Sequence, residues 1–143
     1  MKALFELLKP DVAMSALVPS APASGPAYDW VAAQSKAFSP EVQAGLWLYV
    51  DDLNSSHILS QGIESATGAY WHGIMHRREG DFSNAKYWFR QAGRHEVIET
   101  LGYDPYDFID ECERRHTTNP DDLVGLQRRE WSALMDYCHN LSR

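Results

Sequence analysis

No apolar run in this chain approaches the roughly 20 residues needed to cross a bilayer, so no membrane-spanning helix is expected. Cysteine is scarce: 143 residues hold two, Cys112 and Cys138, in neither a C-x-x-C pair nor a zinc-type spacing. They read as two thiols of a reducing compartment, with a bridge between C-terminal helices as the alternative. There is no sustained period-2 alternation and no Asn-Gly or Asp-Gly turn, which leaves no strand to predict. A phosphate-binding G-x-x-x-x-G-K-[ST] loop, a dinucleotide fingerprint and an H-E-x-x-H motif are all missing. Ser55, Ser56 and Ser60 lie near His57, but no motif poses any of them as a nucleophile. Cations are outnumbered, 13 Lys and Arg against 20 Asp and Glu, for a formal net charge of −7. That balance argues against a nucleic-acid partner and against polybasic membrane contact. Glu6, Lys9 and Asp11 interrupt the opening apolar residues, so the start does not read as a secretory signal and a cytoplasmic location is expected.

What remains is ample for one helical domain. Apolar residues make up 44% and aromatics 12%, enough to offset the entropy of ordering a chain of this length. Residues 10–28 carry Pro10, Pro19, Pro22 and Pro26 among Ala and Ser and read as a linker or an arm laid over the domain. Short helices are expected over 2–8 and after Asp29, giving an N-terminal arm over 1–38 and a helical domain over 39–143. Ser39-Pro40-Glu41 is a helix start: a capping hydroxyl, proline at the first position and an acid in the first turn. Asp51 or Asp52 caps the next helix, Ser65 begins a third that stops at Gly80, and Asp81 caps a fourth that stops near Gly93. An apolar turn over 97–101, a helix opened by Asp104-Pro105 and a last one opened by Asn119-Pro120 complete an all-α compact bundle.

Residues 69–92 read AYWHGIMHRREGDFSNAKYWFRQA. Gly73 in one helix, the Gly80-Asp81-Phe82 turn, then Ala85, Phe89 and Ala92 in the next resemble a tetratricopeptide-type helix hairpin. A weaker echo at Asp52-Leu53-x-x-Ser56 gives one good and one doubtful copy, which favours a bundle over a solenoid. A wider stretch, about 41–138, resembles an uncharacterised bacterial family of small all-helical proteins. The residues that carry this are Asp51-Asp52-Leu53, His57, Ile63-Glu64-Ser65, Tyr70 to Glu79, Asn84 to Phe89, and the helix from Glu130-Trp131 to Tyr137-Cys138. The resemblance implies an all-helical fold and supplies no activity.

Two constellations could carry chemistry. His72, His76 and Glu79 stand at i, i+4 and i+7 and share one helix face. Two imidazoles and a carboxylate so spaced can hold a divalent metal such as Zn, Fe or Mn, with His57 or Glu64 from the preceding segment completing the set. With an open position such a site activates water, the basis of a metal-dependent, hydrolase-type enzyme. The competing reading makes both histidines core residues, each hydrogen-bonded to an acid or a carbonyl. The second constellation is basic: Arg77, Arg78, Lys86, Arg90 and Arg94, opposed only by Glu79 and Asp81, with Trp71 and Trp88 interleaved. Arginines beside aromatic faces suit a carboxylate or phosphate, which gives a non-enzymatic binding domain with a polar groove for a small acidic ligand or a peptide. Here the alternative is internal pairing with the acidic segment Asp104, Asp107, Asp110, Glu111 and Glu113.

Overall fold

A computed structural model describes residues 1–141, and every regular element in them is helical. The elements are α1 (Lys2–Leu7), α2 (Pro26–Gln34), α3 (Pro40–Tyr49), α4 (Leu53–Ser60), α5 (Ala66–Arg78), α6 (Phe82–Ala92), α7 (Glu96–Thr100), α8 (Pro105–Arg115) and α9 (Asp121–Leu141). No helix among the described residues is long and apolar enough to cross a membrane. Both cysteines are buried, and neither is held in a disulfide.

The caps lie where local chemistry puts them. Ser39, Asp52, Ser65 and Asp81 accept the backbone N–H three residues on, from Val42, Ser55, Gly68 and Asn84. Asp104 accepts from Tyr106 and Asp107 at the start of α8. One expectation needs correction: Asp29 does not cap α2, which begins at Pro26 behind Gly25 and places Asp29 in its first turn. Proline at the first helical position starts the helix inside the stretch read as linker. Of the two aspartates before α4, Asp52 is the cap, while Asp51 adopts φ of 60° and turns its carboxylate inward.

α5 is the central element, and Gly68 to Arg78 are all buried. It lies antiparallel to α6 across the Gly80 turn, where φ is 84°. The two helices meet closely because Gly73 has no side chain: a Cβ there would stand 2.6 Å from the Phe89 ring. At Gly45 of α3 a Cβ would meet Met135 at 2.5 Å and Trp71 at 2.8 Å, so α3, α5 and α9 converge at that point. Trp131 of α9 donates its indole N–H to the Gly45 carbonyl at 2.8 Å. The N-terminal arm belongs to the same core, for Leu4, Met14 and Val31 are buried in the main apolar cluster.

Two guanidiniums end α5 inside the protein. Arg77 donates to Glu130 of α9 at 2.8 Å, and both side chains are about 1% exposed. Arg78 donates to Asp51 at 2.6 Å, to the Leu48 carbonyl at 2.8 Å and to the Ala16 carbonyl at 3.1 Å. Burial opposes the charge of Arg77, but Glu130 outweighs it and holds the guanidinium above its ordinary pKa. Phe108 covers the same cation, 4.5 Å from ring centroid to guanidinium carbon. Removing one partner of a buried pair leaves the other charge uncompensated, at about 3–5 kcal/mol. Arg78→Met is therefore expected to lower unfolding free energy in urea by about that much and to open the 9–24 stretch to limited proteolysis. Arg94→Ala, whose side chain is 91% exposed, should fall within about 0.5 kcal/mol of wild type. Equal stabilities for the two variants would contradict this account.

Candidate functional site

The histidines converge. α4 carries His57 and α5 carries His72 and His76, and the packing of α4 on α5 brings all three together. Ring centroids stand 4.8 Å apart for His57 and His72, 5.3 Å for His57 and His76, and 4.8 Å for His72 and His76. One ring nitrogen from each lies within 4.8 Å of the other two. Ligands of one tetrahedral ion with bonds of about 2.1 Å stand about 3.4 Å apart, so the most widely separated nitrogens need to close by up to about 1.4 Å to share an ion.

The surroundings fix the rings. Trp88 of α6 stacks on His72 at 3.8 Å with an interplanar angle of 11°, so His72 is held between Trp88 and His76. His72 Nδ1 is buried without a hydrogen-bond partner. Glu79 Oε1 lies 2.5 Å from His76 Nδ1, and the Asn84 amide nitrogen lies 3.3 Å from His76 Nε2. Burial, reinforced by the charges of His76 and His57, pushes His72 down to about 4. Burial first, and then His76, lowers His57 as well, against the pull of Glu79. Neutral imidazoles are the form that binds a metal.

The residues expected to bind metal do not all share one role. Glu79 touches His76 at Nδ1, so it orients the ring and stands outside the three-histidine set. A second grouping joins His76, Glu79 and Asp81, but the Asp81 carboxylate is already the cap of α6. Glu64 is exposed in the connection between α4 and α5, outside both groupings, where it lines a cavity of about 430 Å³ with Ser60, Trp88 and Gln91.

The basic constellation is dispersed, and this corrects the expected groove. Trp71, Arg77 and Arg78 are fully buried and cannot line a groove, because their positions on α5 face neighbouring helices all round. Arg90 is exposed. Lys86 pairs with Asp110 of α8 at 2.6 Å, the internal docking that the acidic segment offered as an alternative. Trp88 alone of the two tryptophans borders the histidines. Asn84, Glu130 and the inward turn of Asp51 were not read from sequence.

No family model, curated protein or solved structure matches the chain.

The site sets a pH dependence for the metal-free protein. The folded state keeps His72 and His57 neutral below 6.5, whereas the unfolded chain takes up protons there. Unfolding therefore binds protons, and stability falls as pH drops from about 6.5 toward 4. His95, lowered by burial against the opposing Glu96, adds to the same trend. From pH 7.5 to pH 5 the unfolding free energy should fall by about 1–2 kcal/mol through His72. His72→Gln should flatten the profile in urea titrations, and a wild-type profile flat over that range would contradict the assignment.

Proposed function

We propose that this domain binds one divalent transition-metal ion through His57, His72 and His76, with Glu79 orienting His76. The observation that carries this reading is the convergence of three imidazoles from two helices in a partly desolvated pocket walled by Trp88. A core histidine is satisfied by its own partner, and His72 Nδ1 has none. A carboxylate on the far nitrogen of a ligating histidine fixes its tautomer and raises its basicity, which is the relation of Glu79 to His76. Imidazole donors favour Zn or Fe over hard ions such as Mg, and leaving Glu79 outside the set makes Mn the poorer match of the three expected metals. The tetratricopeptide-like hairpin serves as the scaffold in this reading, and the domain acts as a non-enzymatic binding module. An acidic-ligand groove has less support, since Arg77 and Arg78 are spent on internal ion pairs.

The test is a titration of chelator-treated protein with Zn²⁺, followed by calorimetry and by the fluorescence of Trp88. One ion per chain is expected to bind and to raise the melting temperature. His57→Ala and His76→Ala should each lose that site. An absence of Zn²⁺ binding by the wild type, or binding unchanged in both variants, would remove the proposal.

A further inference from the structure

We infer that the cavity where the starts of α3 and α5 meet α9 is a binding site for a free amino acid with an apolar side chain. It is independent of the metal reading, because the histidine centre faces α4 and α6 instead.

The cavity holds about 480 Å³, within the roughly 300–1,000 Å³ of small-molecule sites. Ser39 and Glu41 of the α3 start, Ser65 and Thr67 of the α5 start, and Tyr137 and Leu141 of α9 line it. Its three hydroxyls are arranged to donate. Ser39 Oγ accepts the Val42 N–H at 3.4 Å, and Ser65 Oγ accepts the Gly68 N–H at 3.1 Å. Thr67 is arranged by His95, a buried side chain 6% exposed. The Val97 N–H donates to His95 Nδ1 at 3.1 Å, so the ring proton sits on Nε2 and is donated to Thr67 Oγ1 at 2.9 Å. A hydroxyl oxygen that already takes an N–H has its own O–H left to give. The same imidazole lies 4.7 Å from the Tyr137 ring, so one buried residue fixes two walls of the cavity.

Glu41 is the one charged side chain among the described lining residues, and no Lys or Arg lines the cavity beside it. The lining therefore asks for two things at once. Its carboxylate calls for a cation, and its hydroxyl protons call for an anionic acceptor, each through a charge-assisted hydrogen bond. An ammonium and a carboxylate on one small molecule are the two ends of a free amino acid. Tyr137 and Leu141, the latter 70% exposed, offer apolar surface to its side chain. A ligand with only one of the two charged groups leaves the other half of the lining unmatched.

Calorimetry on the full chain compares leucine with isocaproate, which lacks its ammonium, and with isoamylamine, which lacks its carboxylate. One leucine per chain should bind at millimolar concentration or below, and each of the other two about tenfold more weakly. Glu41→Gln should weaken leucine and isoamylamine about tenfold and should not weaken isocaproate. Thr67→Val should weaken leucine and isocaproate and leave isoamylamine unchanged, while Thr67→Ser, which keeps the hydroxyl, should bind as the wild type does. Circular dichroism checks each variant for unchanged helix content, and Glu41→Gln, which alters no internal hydrogen bond, carries the test if Thr67→Val does not fold. Absence of leucine binding by the wild type, leucine no tighter than isocaproate or isoamylamine, or wild-type leucine affinity in Glu41→Gln would each overturn the inference and leave the histidine centre untouched.

Discussion

The consecutive arginines at the end of α5 are the constraint on which the rest is built. Two adjacent helical residues point about 100° apart, so Arg77 and Arg78 reach different neighbours. Arg77 binds α9 through Glu130, and Arg78 binds the end of α3 and the arm through Leu48, Asp51 and Ala16. Neither cation is worth burying for stability alone, because the desolvation of a guanidinium is of the same order as its ion pair returns. Their effect is to define one rotation of α5 about its axis. Any other rotation would strand two charges in the apolar cluster.

That rotation sets the site. With Arg77 and Arg78 turned toward α9, α3 and the arm, His72 and His76 turn toward α4 and α6. Gly73 lies on the side of Phe89, where α6 must come close enough for Trp88 to stack at 3.8 Å on His72. The direction of the two histidines is thus set by contacts made on other faces of the same helix. This is how a set of side chains can be held in position by the fold alone.

Much of this was legible in the sequence, and the boundary is instructive. Capping residues act over three or four positions, so Ser39, Ser65, Asp81 and Asp104 marked helix starts without tertiary information. The i, i+4 spacing of His72 and His76 showed a shared face for the same reason. Which face met which neighbour was hidden, because α5 is buried from Gly68 to Arg78 and such a helix has no solvent-facing side to reveal its orientation. Arginines beside tryptophans therefore looked like a surface, and two of them proved to be anchors. Glu79 looked like a ligand by spacing, yet a three-residue step lets it reach the back of the His76 ring first. Asn84 belonged to another helix and could be placed only once the hairpin was closed.

Besides its buried apolar side chains, the N-terminal arm is gripped by its carbonyl oxygens. Ala13, Met14 and Ala16 offer backbone acceptors to Arg128, Gln127 and Arg78. Every residue type brings a carbonyl, so at these points attachment asks for chain path more than for side-chain identity. The demand for particular residues falls on the donors in α5 and α9. A segment held this way can drift through Ala, Ser and Pro over evolutionary time and keep its seat, while an exchange of one distant arginine would unfasten it.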